Sequence, residues 1–205
     1  MAQITSGIRS LLSNPAFYDW FQNLMGARKG RIELSELYIR PFSGMKILDI
    51  GCGTARILDF LPQTVDYHGF DLSQKYIDQA ISCYSDRGIF KCELVEDSTF
   101  HNCQSFDLVL AVGVLHHLDD KSALNLLKLA NSVLKIGGRL VTLDPCFDGQ
   151  QNPIAHFLVS CDRGQNVRTG EQYLELSSNV FKNIDGIVKH RKWIPYTHWA
   201  MECTK

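Results

Sequence analysis

Apolar and amphipathic segments alternate along most of the chain. Five short segments are either apolar throughout or alternate apolar with polar residues, as strands do. Between several of these segments, apolar residues recur three and four positions apart, as on one face of a helix. Strands that alternate with helical segments predict βαβ units and a parallel sheet. The predicted strands are residues 45–50, 65–70, 89–95, 106–112 and 139–144, and the predicted helices are residues 54–61, 74–85 and 119–135.

The C-terminal tail departs from this alternation. Residues 170–181 predict another helix, and residues 186–194 and 197–203 predict two strands separated by Pro195. Because the connection between these strands is short, an antiparallel pair at one edge of the sheet is favoured. The tail therefore predicts a mixed edge on an otherwise parallel sheet.

The N-terminal segment is rich in aromatic residues and precedes the first strand. Residues 15–40 predict one or two helices, which are too few for a domain of their own. We therefore predict a helical cap or lid over residues 1–43 and a single α/β domain over residues 44–205.

Composition narrows the class of protein. A length of 205 residues suits one domain with a sizeable core, and the hydrophobic fraction of 45% is ordinary for a globular protein. The net charge of −1 provides no overall field to hold nucleic acid, so we predict no nucleic-acid partner. Neither a signal peptide nor a bilayer-spanning run is evident, so we expect a cytoplasmic protein without membrane insertion.

The seven cysteines are scattered, and no Cys-x-x-Cys motif occurs. An odd number of scattered cysteines fits buried packing in a reducing compartment better than a disulfide framework. We predict no metal site.

The stretch KILDIGCGTARIL, residues 46–58, places an acid and two glycines between a strand and a helix. In open α/β sheets, ligands bind beyond the carboxyl ends of the strands. A dinucleotide turn requires a third glycine against the pyrophosphate, and here Ala55 and Arg56 follow Gly53 instead. Asp71 lies 20 residues beyond Gly51, the spacing at which a carboxylate accepts ribose hydroxyls. These features favour an adenosine ligand with a cationic end and no phosphate, which describes S-adenosylmethionine.

Four ordered motifs extend this interpretation. LDIGCGTA, GFDLS, FDLVLAVGVLHHLDD and LKIGGRLVTLDP, spread over roughly residues 44–146, resemble the motif set of class I S-adenosylmethionine-dependent methyltransferases. The tail is similar, more loosely, to a bacterial subgroup associated with small-molecule or glycan methylation. The resemblance implies a Rossmann-like, doubly wound sheet of seven strands, mostly parallel with an antiparallel last strand.

The resemblance also implies roles for individual residues. In the family, the glycines approach the methionine part of the cofactor, and acids at strand ends hold its ammonium group, its ribose and the adenine edge. The implied S-adenosylmethionine contacts are Asp49, Gly51, Gly53, Asp71, Leu72, Asp97, Ser98, Ala111 and Val112.

Residues after the fourth and fifth strands are candidates for the acceptor side. His116 and His117 follow the fourth strand, where one of them is predicted to act as a general base; a packed histidine beside a solvent-facing one is the alternative. Arg163 and Arg168 suit a carboxylate or phosphate on a small-molecule acceptor, or are surface arginines. Tyr18 is predicted to contact the acceptor from the cap.

Two other functions remain open from the sequence. One is a nicotinamide-dependent oxidoreductase on the same type of sheet, which Arg56 opposes because a glycine is needed there. The other is a non-catalytic module that binds S-adenosylmethionine, since a fold and a cofactor do not establish turnover.

Overall fold

The computed structural model describes residues 27–95, 105–191 and 195–205, which belong to two compact units. The first unit contains the described residues up to Val95, and the second contains those from Ser105 onward. Tyr18, Asp97 and Ser98 lie outside the described residues, as does most of the segment predicted to form the cap.

The first unit is a three-stranded parallel sheet with helices. Its strands lie in the order β3-β2-β1, and Ile47 and Leu48 at the centre of β1 are completely buried. The elements are α1 (Ala27–Glu33), which continues as a π-helical segment (Leu34–Ile39), β1 (Lys46–Ile50), a 3-10 helix (Arg56–Phe60), β2 (Asp66–Phe70), α2 (Gln74–Tyr84) and β3 (Gly88–Lys91).

The second unit contains a mixed sheet. Its elements are β4 (Phe106–Val112), a 3-10 helix (Leu115–His117), α3 (Asp120–Val133), β5 (Leu134–Phe147), α4 (Pro153–Ser160), β6 (Arg168–Thr169), α5 (Gly170–Ser178), β7 (Asn183–Arg191) and β8 (Tyr196–Thr204). The strand order is β4-β5-β8-β7, and β6 pairs with the end of β5. β4 and β6 run parallel to β5, whereas β8 runs antiparallel to both β5 and β7.

The predicted α/β class, with mostly parallel pairing and an antiparallel last strand, is confirmed. The described residues form eight strands rather than seven, and the additional strand is the two-residue β6. Within the described part of the chain, no helix has the length and apolar character needed to cross a membrane.

The helix predicted over residues 54–61 is wrong in type and extent. The structure has only the short 3-10 helix in this region, because Ala55 adopts a left-handed conformation with φ 54° and prevents an earlier start. At the other end, Pro62 disfavours helical geometry at Leu61, which is extended. Too few residues remain between these two limits for a regular α-helix.

The boundaries of two strands also differ from the prediction. β5 begins at Leu134 rather than at residue 139, so it includes the last two residues of the predicted helix and the two glycines that follow them. Leu134 pairs with Phe106 before the register shifts, and Gly137 with φ 76° accommodates this irregularity. β3 ends at Lys91, four residues before the predicted end.

One helix, α4, was not predicted. Its start carries a recognisable signal, because the side chain of Asn152 accepts a hydrogen bond from the N–H of Ile154 at 2.8 Å and Pro153 occupies the first turn. The helix is only eight residues long and exposes several apolar side chains, so its periodicity is weak.

Candidate functional site

The turn after β1 is built from left-handed residues. Gly51, Gly53 and Ala55 have φ values of 78°, 55° and 54°. The N–H groups of Gly51 and Cys52 donate to the carbonyl oxygen of Phe70 at 2.7 and 3.0 Å, which anchors the turn to the end of β2. Left-handed geometry is accessible to glycine without steric cost, which explains why two of the three residues are glycines.

Asp71 holds the same turn with its side chain. Its Oδ2 accepts the N–H of Gly53 at 3.0 Å, and its Oδ1 accepts the N–H of Ser73 at 2.8 Å. Burial raises the pKa of Asp71 above its usual value, although these two N–H groups favour the charged form. The carboxylate is therefore fixed beside the glycines at the carboxyl end of β2.

Among the described residues, the space in front of this turn is open. A Cβ atom built on Gly53 would meet none of their atoms within 4 Å, and the neighbouring Leu72 side chain is 46% exposed. A fixed carboxylate, an apolar side chain and an exposed backbone turn match the ribose, the adenine and the methionine part of S-adenosylmethionine. The turn residues and Asp71 thus fit the predicted cofactor.

Asp49 lies beneath the turn as half of a buried pair. The hydroxyl of Tyr67 donates to its Oδ2 at 2.5 Å. Burial raises the pKa of Asp49 to about 7, because the hydrogen bond from Tyr67 offsets only part of the desolvation and the charge of Asp71 adds to it. A carboxyl group with this pKa changes charge within the physiological range.

In the second unit, β4 ends at the other two predicted cofactor contacts. Ala111 is completely buried and Val112 is half-buried, and the next residue, Gly113, turns the chain with φ 69°. The N–H of Gly113 donates to the carbonyl oxygen of Leu143 at 2.9 Å. This turn delivers the chain directly into the 3-10 helix that carries both histidines.

His116 is buried between two carboxylates. Its Nδ1 lies 2.8 Å from Oδ1 of Asp144, and its Nε2 lies 3.3 Å from Oδ1 of Asp162. Burial alone would lower the pKa of His116, but the two carboxylates raise it to about 9. His116 is therefore an imidazolium at neutral pH and has no site at which to accept a proton.

The network around His116 extends to β8. The hydroxyl of Tyr196 donates to Oδ2 of Asp162 at 2.6 Å, and the ring of Tyr196 packs 4.9 Å from that of His198. Burial opposes ionisation of Asp162, yet its bonds from His116, Tyr196 and the N–H of Gly164 hold its pKa well below the usual range. Oδ2 of Asp144 is buried and has no partner among the described residues.

His117 differs in charge from its neighbour. Its ring lies 4.0 Å from the ring of His116, and its Nδ1 is buried without a partner in the described ranges. Burial and the positive charges of His116 and Arg163 lower the pKa of His117 to about 4. His117 is therefore neutral at physiological pH, and of the two histidines it is the one that can accept a proton.

Arg168 fastens the segment after α4 to the histidine turn. Its guanidinium donates to Asp120 through Nε and Nη2 at 3.0 and 2.7 Å, and to three carbonyl oxygens, those of Leu115, Leu118 and Asn166. These five bonds use all five N–H groups. The geometry thus favours a structural role for Arg168 over the predicted contact with the acceptor.

The sequence did not single out Tyr67, Asp144, Asp162 or Tyr196. Asp144 ends a predicted strand, and that position is a signal that would have justified its inclusion. The other three are ordinary strand or loop residues whose importance depends on contacts made 18 to 46 residues away along the chain.

Comparison with known proteins relates part of this chain to methyltransferases. Residues 47–138 match the family model of a methyltransferase domain. A solved S-adenosylmethionine-dependent methyltransferase from Methanosarcina mazei aligns with a TM-score of 0.60 and 17% identity, over 80% of this chain and 93% of that chain. Residues 47–138 therefore form a methyltransferase domain, and the chain is similar to S-adenosylmethionine-dependent methyltransferases.

Curated methyltransferases match part of this chain. The ubiquinone biosynthesis O-methyltransferase of Bordetella avium is 24% identical over 129 residues, which are 61% of this chain and 47% of that protein. The phosphoethanolamine N-methyltransferase 1 of Triticum aestivum is 31% identical over 114 residues, which are 51% of this chain and 21% of that protein. The chain thus spans about half the length of the first relative and a smaller share of the second. S-adenosylmethionine is the cofactor of the family.

Asp71→Asn should weaken binding of S-adenosylhomocysteine, the product form of the cofactor, by about ten- to a hundredfold. The amide loses charge-assisted hydrogen bonds worth about 1.5–3 kcal/mol, at about 1.4 kcal/mol per tenfold. Isothermal titration calorimetry on a variant with wild-type circular dichroism measures the effect. Unchanged affinity would remove Asp71 from the cofactor site.

The affinity for S-adenosylhomocysteine should rise with pH through Asp49. Its pKa of about 7 means that this carboxyl group is protonated at pH 6 and charged at pH 8, where it attracts the ligand's ammonium group. We expect an increase of up to about tenfold between these pH values. Tyr67→Phe removes a bond that favours the charged form, so it should move the rise to higher pH. A pH dependence that survives in Asp49→Asn would contradict this assignment.

The His116 network should make stability depend on pH. Because the folded-state pKa of His116 is raised to about 9, its stabilisation is complete below its ordinary pKa of 6.5 and is lost as the pH rises through 9. The loss is about 3 kcal/mol at most. The free energy of unfolding, measured with urea, should differ less between pH 6.5 and pH 9.5 in Asp162→Asn than in wild type. Asp185→Asn, an exposed carboxylate on β7, is the control, and equal behaviour of the two variants would refute the network.

Proposed function

We propose that this protein transfers the sulfonium methyl group of S-adenosylmethionine to a nucleophile on a small molecule. The observation that carries the proposal is the carboxylate of Asp71, bonded to Gly53 at 3.0 Å beside an open left-handed turn. When bound, S-adenosylmethionine supplies an electrophilic methyl carbon and its own leaving group. The new bond forms between the acceptor atom and that carbon, and the electron pair of the broken carbon–sulfur bond stays on sulfur.

The protein's contribution is then alignment of the acceptor and exclusion of water. The segment between α4 and β6 covers the histidine turn, since the N–H of Asn166 donates to the carbonyl oxygen of His116 at 3.0 Å. A Cβ atom at Gly164 would lie 2.1 Å from Cδ2 of His116, so this backbone packs directly on the imidazole. A turn packed this closely gives the acceptor side a fixed wall.

His117 is the residue we propose for the acceptor proton. A base with a pKa of about 4 holds a proton weakly, so it assists best where the acceptor proton is already acidic, as in a phenol. Arg163 remains a candidate acceptor contact because its positive charge helps to lower the pKa of His117. Tyr18 stays a prediction of the same kind, as do the adenine-side contacts Asp97 and Ser98.

The proposal is tested by release of S-adenosylhomocysteine in the presence of sugars, amines, carboxylic acids, phenols and lipids. Release that depends on one acceptor class supports methyl transfer. Binding of S-adenosylhomocysteine without release from any class favours the non-catalytic module. Binding of NADH in place of S-adenosylhomocysteine would favour the oxidoreductase.

With the acceptor identified, His117→Ala should lower kcat by about 10²–10⁴ and leave the affinity for S-adenosylhomocysteine unchanged. Because the pKa of His117 is about 4, the wild-type rate should show no acid limb due to this residue between pH 5 and 8. Steady-state kinetics across that range provides the measurement. His116→Gln is the control for the structural histidine, and wild-type turnover by both variants would assign catalysis to alignment alone.

A further inference from the structure

A cleft of about 860 Å³ opens beside the carboxyl end of β5 and none of the roles above uses it. Segments from α4, α5, β7 and β8 surround it within the second unit. Its volume lies in the range of small-molecule sites. The side chains that matter for its chemistry are Phe147, Asp148, His156, Glu171, Leu174 and Trp199.

The aromatic walls of the cleft are fixed in place. The indole of Trp199 packs against two glycines: a Cβ at Gly186 would lie 2.0 Å from Cζ2, and a Cβ at Gly170 would lie 2.7 Å from Cε3. The rings of Phe147 and His156 pack with centroids 5.2 Å apart. Because side chains at these glycines would displace the indole, the sequence at positions 170 and 186 keeps this wall in place.

The charges that line the cleft are negative. Asp148 and Glu171 are its acids, and no lysine or arginine is among the described residues that line it. Strand alternation keeps two positive side chains of β7 away from the cleft, because Val188 faces the cleft while Lys189 and Arg191 project from the opposite face of the strand. The Asp148 carboxylate is oriented by the N–H of Gln150, which donates to Oδ2 at 2.9 Å, and Nε2 of His190 lies 3.4 Å from the same oxygen.

The cleft is connected to the histidine turn through β5 and β6. Asp144, which binds His116, precedes Phe147 by three residues, a separation of about 10 Å along a strand. Phe147 pairs with Thr169, and the preceding residue, Arg168, binds the histidine turn.

We propose that this cleft binds an organic cation, an ammonium group carried on an aromatic or apolar body. Aromatic faces and carboxylates both attract an ammonium group, and neither favours an anion. The inference that this cation is the methyl acceptor rests on the proposed function. In that role, the nucleophile of the cation lies towards His117 and its ammonium group lies at Asp148 and Glu171. The proposal replaces the carboxylate- or phosphate-bearing acceptor suggested by the two arginines.

Three probes of matched shape test the charge preference. Tyramine, 4-ethylphenol and 4-hydroxyphenylacetate share a phenol and differ in the charge of the side arm. Calorimetry on the full chain at pH 8, with and without S-adenosylhomocysteine, should show tyramine binding at least tenfold more tightly than 4-ethylphenol, and the anion binding most weakly. Equal affinities for the three probes would overturn the proposal.

Four variants locate the binding. Asp148→Asn and Glu171→Gln should each weaken tyramine binding about three- to tenfold and leave 4-ethylphenol unchanged. Glu175→Gln, one turn further along α5 and outside the cleft, should change neither. Leu174→Trp, at a position 41% exposed, should fill the cleft and weaken both probes. If the two cleft acids behave like Glu175, or if Leu174→Trp has no effect, the cation does not bind here.

The same samples separate this proposal from the methyltransferase function. Binding of S-adenosylhomocysteine without discrimination among the probes overturns only the proposal that the cleft binds a cation. Discrimination among the probes without binding of S-adenosylhomocysteine supports that proposal and overturns the proposed methyltransferase function.

Discussion

The hydrogen bond from Gly53 to Asp71 is the constraint on which the proposed cofactor site depends. It joins the turn after β1 to the end of β2 and fixes a carboxylate where the backbone is left-handed. The same conformation extends to Ala55, a buried non-glycine residue, which limits the following helix to five residues. The proposed ligand binding and the local backbone strain therefore have one cause, a turn that keeps its N–H groups and Asp71 close together.

In the second unit, a buried charge holds the turn that carries the two histidines. His116 carries a positive charge between Asp144 and Asp162, and Arg168 joins the same turn to the segment after α4. The positive charge on His116 also contributes to the low pKa of His117. Two adjacent histidines, equivalent in sequence, thus have pKa values shifted in opposite directions, raised for His116 and lowered for His117, and this difference assigns them different chemistry.

Much of the fold was predictable because it follows from local patterns. The near-continuous apolar run of β4 was predicted from local sequence. The position of Asp71 at the end of β2 followed from its spacing from Gly51. The His116 network and the cleft were not predictable, because they depend on contacts between residues such as Asp162 and Tyr196, 34 positions apart. Neighbouring residues give no sign of such contacts.

We propose that the turn of Gly51 and Gly53, held by Asp71, binds S-adenosylmethionine. Titration of ¹⁵N-labelled protein with S-adenosylhomocysteine, followed by two-dimensional amide NMR, tests it most directly. We expect saturable shifts of the amide signals of Gly51, Cys52 and Gly53, and no shifts on addition of NADH. Saturable binding that leaves these three signals unmoved would contradict it.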